Sequence, residues 1–274
     1  MGDTPKPPAG RTLHPFLMGM RMKILLTNDD GVQSEGLFAL WAALSPVHEA
    51  AVIAPDRNWS ISGHNKTMDR PLRVSEVKLR DGSPAYASDG TPSDCVALAA
   101  LGLLGYTPEL VISGINNGFN LGGDITYSGT VAAAMEGVVS EIPSIAVSMG
   151  TRPEWPVDVG ASFVKRLVEQ IGEHGLAKDI LLNVNVPNIP EDQIKGVQIT
   201  RLGKRIYSDK LIVRTDPRGR KYYWIGDENP PTAHREEGTD ATAVEDGYVS
   251  ITPIHMDLTS FREDVWELLG NLKF

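Results

Sequence analysis

The stretch KILLTNDDG, residues 23–31, decides the fold class of this chain. Its first five residues form a short apolar run, which predicts a buried strand over 23–27. The polar Asn-Asp-Asp-Gly that follows is typical of a loop, because these residue types favour turns. The first predicted strand therefore delivers two adjacent carboxylates, Asp29 and Asp30, at its carboxyl end.

Beyond this stretch, apolar strands alternate with amphipathic helices. Leu37, Leu40, Trp41 and Leu44 recur at the spacing of one helix face, and a second apolar strand follows at 50–54. Such alternation implies a mostly parallel sheet with helices on both faces. Because crossovers between parallel strands are right-handed, the sequence predicts a doubly wound, Rossmann-like α/β fold. Further strands are predicted at 110–115, 144–148, 180–186 and 248–251, and further helices near 91–103, 128–139, 163–171 and 261–268.

One helix start carries a clear cap in the sequence. The residues Thr-Pro-Ser-Asp at 91–94 supply a hydroxyl cap, a proline at the first helical position and an acid in the first turn. The helix that follows is expected to turn Val96, Ala99 and Leu103 inward.

The alternation gives way to a β-rich segment in the last third of the chain. Strands are predicted at 197–200, 206–214 and 221–225, with an Asp-Pro-Arg-Gly turn between the last two. The predicted central sheet is complete without this hairpin. We therefore interpret the segment at about 197–258 as an oligomerisation arm that reaches another subunit. A hairpin folded back on its own domain is the alternative, and the sequence leaves both open.

The rest of the chain is predicted to form one α/β domain over 22–274. Residues 1–21 are rich in Pro and Gly and show no periodic pattern, so we interpret them as a disordered extension or as a mis-assigned start. The predicted domain begins at Met22, where the first strand starts.

Composition excludes several classes of protein. Apolar residues make up 41% and charged residues 22% of the 274 residues, which fits a globular chain and not a disordered one. A net charge of -9 argues against binding a nucleic-acid polymer. The single cysteine, Cys95, excludes an internal disulfide and a cysteine-based zinc site, and it fits a cytoplasmic protein. The longest apolar runs are too short to cross a bilayer, so no membrane partner is expected.

Polar side chains follow several of the predicted strands, at the edge where open α/β sheets bind ligands. Asp29 and Asp30 follow the first strand, Ser60 and His64 lie in the loop after the second, and Asn116 follows a later one. Adjacent carboxylates repel each other unless a cation or a proton lies between them. Carboxylate, hydroxyl and amide oxygens suit Mg²⁺, Mn²⁺ or Ca²⁺ better than zinc. A plain turn is the alternative for the Asp pair taken alone.

The segment Ser128-Gly129-Thr130 opens a predicted helix and offers free backbone N–H groups and two hydroxyls. A helix start of this kind is a ready anion site, although an ordinary Ser cap with nothing bound is the alternative. No dinucleotide-binding or Walker glycine motif occurs, and no nucleophile elbow occurs either.

Several ordered motifs are similar to those of one known family. They are TNDDG at 27–31 followed by Gly36, APDR at 54–57, GTPSDC at 90–95, SGIN at 113–116, YSGTV at 127–131 and GYVSITP at 247–253. This set resembles the SurE family of survival-protein nucleotidases, over essentially residues 22–258. The chain departs from the usual family pattern at Trp59 and Phe119, which flank the expected site, and these departures bear on base preference more than on the chemistry.

The resemblance implies a SurE-like fold and a nucleotidase activity. It implies one divalent metal held by Asp29, Asp30, Ser60 and Asn116, and phosphate contacts at Ser128, Gly129 and Thr130. The implied substrates are nucleoside 5′-monophosphates, often 3′-monophosphates, and sometimes short polyphosphate. The implied assembly is a homodimer or homotetramer held partly by the exchanged arm.

The mechanism expected from these groups is in-line attack on the phosphate by a water whose pKa the metal lowers, with direct attack by an Asp as an alternative. Asp29, Asp30, Asn116 and Ser128 are the expected catalytic groups. His255 is a candidate general acid, or else a structural residue at a subunit contact. The rival hypotheses are a non-catalytic nucleotide- or metal-binding protein on the same fold, and an interaction scaffold built around the arm.

Overall fold

The computed structural model describes residues 21–151, 156–207, 210–226 and 232–270. The elements in chain order are β1 (Lys23–Thr27), α1 (Glu35–Leu44), β2 (Glu49–Pro55), β3 (Val74–Lys78), β4 (Pro84–Ser88), α2 (Pro92–Ala100), β5 (Leu110–Asn117), α3 (Gly129–Val139), β6 (Ser144–Met149), α4 (Val157–His174), β7 (Leu181–Val186), β8 (Val197–Ile199), β9 (Arg205–Ile206), β10 (Lys210–Thr215), β11 (Lys221–Gly226), β12 (Thr232–Ala233), α5 (Asp240–Glu245), β13 (Val249–Ile254) and α6 (Glu263–Gly270). Short 3₁₀ turns occur at Gly122–Thr126 and Glu191–Gln193. The predicted extension at 1–21 lies outside the described residues, except for Arg21.

A nine-stranded sheet with the order β3-β4-β2-β1-β5-β6-β7-β13-β8 forms the centre of the domain. The strands from β4 to β7 run parallel, β3 pairs antiparallel with β4, and β13 pairs antiparallel with β7. β2 and β4 lie on one side of β1 in the sheet. β5, which comes later in the chain, lies on the other side of β1. The strand order therefore reverses between β1 and β5, which is where such sheets bind ligands.

Helices cover both faces of this sheet, so the predicted doubly wound fold is confirmed. Leu37 and Leu40 of α1 share one apolar cluster with Val164 and Val168 of α4. On the opposite face, α2 and α3 contribute to a separate cluster that packs against β1, β2 and β5. The fully buried central strands explain why their sequences are continuously apolar and do not alternate.

The caps expected from the sequence are present at α2 and α3. Thr91 accepts a hydrogen bond from the Asp94 backbone, and the Asp94 carboxylate accepts one from the Thr91 backbone, which completes a capping box. The Ser128 hydroxyl oxygen accepts from the Val131 backbone N–H at 3.1 Å. Leu103, however, was expected to point inward and is 40% exposed, because α2 ends at Ala100 before the chain reaches it.

Two details of the β structure differ from the sequence prediction. The hairpin of β3 and β4 was not predicted, because β3 lies at the sheet edge, is largely exposed and has no apolar run. The single strand predicted at 206–214 is instead two strands, β9 paired with β12 and β10 paired with β11.

The segment 197–258, predicted as an arm, contributes strands to more than one sheet. At its two ends, β8 and β13 pair with each other, and β13 also pairs with β7, so both belong to the main sheet. The hairpin of β10 and β11 forms a separate two-stranded sheet. Its apolar side chains include Leu211, Tyr223 and Trp224, all of which are exposed. Within the described ranges, no helix combines the length and the apolar character that crossing a bilayer requires.

Candidate active site

The Asp pair lies in a loop that Asn28 holds in shape at the end of β1. The Asn28 side chain donates to the Gly31 carbonyl at 3.1 Å and to the Ser34 hydroxyl at 2.6 Å, and it accepts from the Gly31 N–H at 3.2 Å. Gly31 has a φ of +100°, a conformation that glycine adopts at low cost. The turn therefore places two consecutive carboxylates at the β1–β5 switch point.

Asp29 is buried, and its nearest polar partner comes from α3. The Thr130 hydroxyl donates to Asp29 Oδ1 at 2.5 Å, across 101 positions of sequence. Burial raises the pKa of Asp29 to about 6, the Thr130 hydrogen bond opposes this rise, and the negative charge of Asp30 adds to it. Burial also raises the pKa of Asp30, against a hydrogen bond from the Asn117 backbone. These hydrogen bonds therefore compensate the two negative charges only in part.

The loop after β2 makes hydrogen bonds to both residues of the Asp pair. The Trp59 backbone N–H donates to the Asp29 carbonyl at 2.7 Å, and Asn58 Nδ2 donates to Asp30 Oδ1 at 3.2 Å. Asn58 Oδ1 accepts from the Ser60 hydroxyl at 2.6 Å and from the Ser60 backbone at 2.8 Å. Asn58 thus joins Ser60 to Asp30, a role that the sequence analysis did not assign to it.

Asn116 reaches the same edge from β5, the strand next to β1. Its side-chain Nδ2 donates to the Gly118 carbonyl at 2.9 Å, which leaves the amide oxygen as an acceptor. The hydrogen bond between Asp30 and the Asn117 backbone joins this strand end to the Asp pair.

The start of α3 packs tightly against Asp29. A Cβ atom built on Gly129 would lie 2.7 Å from Asp29 Cβ and 2.8 Å from the Ser62 hydroxyl, so only glycine fits there without a shift. The Ser62 hydroxyl and the Trp59 indole N–H are buried and have no hydrogen-bond partner among the residues that the structure describes. The Ser62 hydroxyl, beside Gly129, is therefore a buried polar group without a partner next to Asp29 within the described residues.

The donor set fits a hard divalent cation. Burial holds the pKa of both carboxyls above the usual value, and the charge of Asp30 adds to the rise at Asp29, so a cation beside the pair would stabilise both ionised groups. The remaining predicted ligands, Ser60 and Asn116, are oxygen donors of the kind that Mg²⁺, Mn²⁺ and Ca²⁺ prefer. In the described part of the chain, no three His, Cys, Asp or Glu side chains are placed together so that they could hold a metal ion. The predicted set contains only two such side chains, so its other ligands must be the hydroxyl and amide oxygens.

Comparisons with known proteins identify the family of this chain. The family model described as Survival protein SurE matches residues 24–209. The chain belongs to the SurE family. A Chloroflexus aggregans protein named 5′-nucleotidase SurE is 56% identical over 244 residues, which cover 88% of this chain and 96% of that relative. A Herpetosiphon aurantiacus protein of the same name is 53% identical over 241 residues, covering 87% and 94%. The crystal structure of the SurE protein from Aquifex aeolicus superposes with a TM-score of 0.78 at 42% identity, covering 90% of this chain and 99% of that one.

In this SurE chain, His64 contacts a buried carboxylate and not the Asp pair. Glu136 of α3 is 2% exposed, and it lies 3.0 Å from His64 Nε2 and 2.5 Å from Lys66 Nζ. Burial alone would raise the pKa of Glu136, but the hydrogen bonds from His64 and Lys66 outweigh it and hold the pKa below its usual value. These contacts tether the loop that carries Ser60 to α3. His64 was a candidate from the sequence, whereas no sequence pattern pointed to Glu136.

His255 lies on the other side of the SurE fold from the Asp pair. Because β13 runs antiparallel to β7, its last residue Ile254 pairs with Leu181, the first residue of β7. His255 therefore follows the sheet at its amino edge, whereas Asp29 and Asp30 lie at the carboxyl edge. The structure does not bring His255 to the other candidate site residues of its own chain.

Proposed function

We propose that this chain is a metal-dependent nucleotidase that hydrolyses nucleoside 5′-monophosphates to nucleoside and phosphate. The proposal extends to 3′-monophosphates and short polyphosphate as further substrates. The observation that carries it is the hydrogen bond from Thr130 to Asp29, which joins an anion-binding helix start to a carboxylate pair in one crevice. Relatives named 5′-nucleotidase SurE support the reaction class.

In this proposal, Asp29, Asp30, Ser60 and Asn116 hold one Mg²⁺ or Mn²⁺ per subunit. When bound, such a cation supplies positive charge beside the phosphate and lowers the pKa of a coordinated water. The fixed hydrogen bond from Thr130 orients the Asp29 carboxylate. Asp29 and Asp30 are thus assigned to metal binding, and either one can help orient the attacking water.

The start of α3 is assigned to the phosphate. The backbone N–H groups near Gly129 and Thr130 point outward at a helix N-terminus, where they stabilise negative charge on phosphate oxygens. The Ser128 oxygen already accepts from the Val131 N–H, so its own hydrogen remains available to donate to a phosphate oxygen.

The proposal also covers the oligomeric state of the protein and its location in the cell. We propose a single domain over 22–274 that forms a homodimer or homotetramer through the β10–β11 hairpin. The exposed Tyr223 and Trp224 on that hairpin support this, because large aromatic side chains on an extended hairpin are typical of subunit contacts. A cytoplasmic location is supported by the single, buried Cys95.

Phosphate release from a panel of nucleoside 5′- and 3′-monophosphates tests the activity directly. We expect release with added Mg²⁺ or Mn²⁺, and a loss of at least about 100-fold with excess EDTA that either metal reverses. Polyphosphate and a non-nucleotide phosphate ester serve as comparison substrates. Nucleotide binding without release under any metal condition would favour the non-catalytic binding protein, and an absence of both would favour the scaffold.

Metal binding is expected to weaken at acidic pH. The pKa of Asp29 is about 6, and a ligand carboxylate must be ionised, so the apparent Mn²⁺ affinity should be about tenfold lower at pH 5 than at pH 7. Isothermal titration with Mn²⁺ at both values measures this change. An affinity that is the same at pH 5 and pH 7 would remove Asp29 from the ligand set.

The metal-free protein should show the opposite trend in stability. The folded pKa of Asp29 lies above its ordinary value of 3.8, so its stabilising contribution is full below that value and is lost as the pH rises through about 6. Thermal denaturation in EDTA therefore provides an independent check on the same carboxyl group.

A further inference from the structure

A cavity of about 630 Å³ lies beside the candidate active site. Its volume falls within the range of small-molecule sites. The walls include Phe119 from the loop after β5, Thr151 after β6, Asn188 after β7, and Val244 of α5. None of these residues has a part in the proposed metal and phosphate site.

The cavity opens at the same sheet edge as the Asp pair. The strands β1, β5, β6 and β7 are consecutive neighbours and all run parallel, so their carboxyl ends line one edge. The ends of β1 and β6 are two strand spacings apart, about 10 Å. Gly150 and Thr151, which directly follow β6, form part of the cavity wall at this edge.

One glycine connects the cavity to the metal site. A Cβ atom built on Gly118 would lie 3.8 Å from Asn116 Nδ2 and 3.7 Å from the Thr151 hydroxyl. Asn116 belongs to the proposed metal ligands, and Thr151 is part of the cavity wall. The two sites therefore adjoin across a short backbone loop.

The chemistry of the walls fits a flat heterocycle better than a second phosphate. Phe119 packs with Leu121, Ala241 and Val244 in one small apolar cluster beneath the cavity. Asn188 is buried, and its Nδ2 donates to the Gly150 carbonyl at 2.6 Å, which leaves its oxygen as an acceptor. This combination of an apolar floor with a fixed amide is typical of sites that recognise a base.

The charged groups of the cavity give little attraction for a further anion. Arg205 is paired with Asp124 at 3.1 Å, and the two carboxylates of the wall, Glu245 and Asp246, are paired with Arg235 at 3.6 Å and 2.6 Å. Lys195 is the other cation of the lining, and its ammonium group lies over the Tyr248 ring at 5.9 Å.

We propose that this cavity binds the base and ribose of the nucleoside monophosphate whose phosphate is held at the start of α3. This inference rests on the proposed function, which it deepens by giving the nucleoside its own site. Specificity among bases then depends on Phe119 and Asn188, and not on the residues that hold the metal.

Filling the cavity tests the assignment. Gln193→Trp adds a large ring from the exposed rim, and Val244→Phe adds one from the floor. Each variant is expected to raise KM for nucleoside 5′-monophosphates about tenfold or more, which is a loss of about 1.4 kcal/mol in binding. The inhibition constant of inorganic phosphate, measured in the same assay, should stay within about twofold, because phosphate does not need the cavity. Asp192→Trp is the matched control, since Asp192 is exposed on the same 3₁₀ turn but does not line the cavity.

The outcomes separate this inference from the proposed function. An unchanged KM in both folded variants, or an equal rise in KM and in the inhibition constant of phosphate, overturns the cavity assignment while leaving the nucleotidase intact. If the native protein releases no phosphate, the proposed function fails, and calorimetric titration with free nucleosides still tests the cavity. If both substitutions weaken nucleoside binding, the assignment of the cavity to the nucleoside is supported. If neither substitution changes nucleoside binding, the assignment is overturned.

Discussion

Phosphate release from nucleoside monophosphates should fall by on the order of 10³-fold when Asp29 is replaced by Asn. The substitution removes one of two ionised ligands and keeps almost the same shape. An Asn side-chain oxygen can still accept the hydrogen bond that the Thr130 hydroxyl makes at 2.5 Å, so the start of α3 should stay in position. The loss would therefore come from weaker metal binding and not from a collapsed site.

Stability gives a second readout for Asp29→Asn. The ionised carboxyl is buried with its pKa raised to about 6, so its removal should stabilise the metal-free protein at pH 7 by on the order of 1–3 kcal/mol. The rise in melting temperature that Mn²⁺ gives the native protein should disappear in the variant. Asp69→Asn, at an exposed position outside the site, should change neither activity nor the response to Mn²⁺. Activity above about a tenth of the native value would show that Asp29 is not required as a ligand.

Gly36→Ala should destabilise the fold by at least about 3 kcal/mol. A Cβ atom on Gly36 would lie 2.0 Å from the Ile115 carbonyl oxygen and 2.9 Å from its carbon, so α1 and β5 cannot keep their present separation. The obstacle is the backbone of a central strand, which cannot move aside as a flexible side chain can. Because Asn116 directly follows Ile115, the displaced strand should also carry this predicted metal ligand away from the Asp pair.

Urea denaturation of Gly36→Ala measures the change in the free energy of unfolding. Gly123→Ala is the matched control, because a Cβ atom there meets nothing within 4 Å and the residue is exposed. The control should stay within about 1 kcal/mol of the native protein. A similarly small change in Gly36→Ala would contradict the close approach of α1 to β5.

Local features of the sequence determined much of the fold and half of the site. An apolar run of five residues followed by Asn-Asp-Asp-Gly was enough to predict β1 and its carboxylates, since strand burial and turn preference depend on near neighbours. The caps at Thr91 and Ser128 were predictable for the same reason, because a cap contacts only the next few residues. The ordered motifs then indicated the family, which no single motif could do.

Only the tertiary structure decided which of these groups meet. The bond from Thr130 to Asp29 spans 101 positions and that from His64 to Glu136 spans 72, and both depend on how helices and loops pack on the sheet. The antiparallel direction of β13 moved His255 to the edge away from the Asp pair, and the exposed edge strand β3 had no apolar pattern to reveal it. Strand order and direction are set by burial over the whole chain, whereas periodicity and caps report on a few residues at a time. The sequence by itself thus determined most of the central strands and helices, the carboxylate pair and the family, and the packing of the sheet decided the partners of each side chain and the cavity beside them.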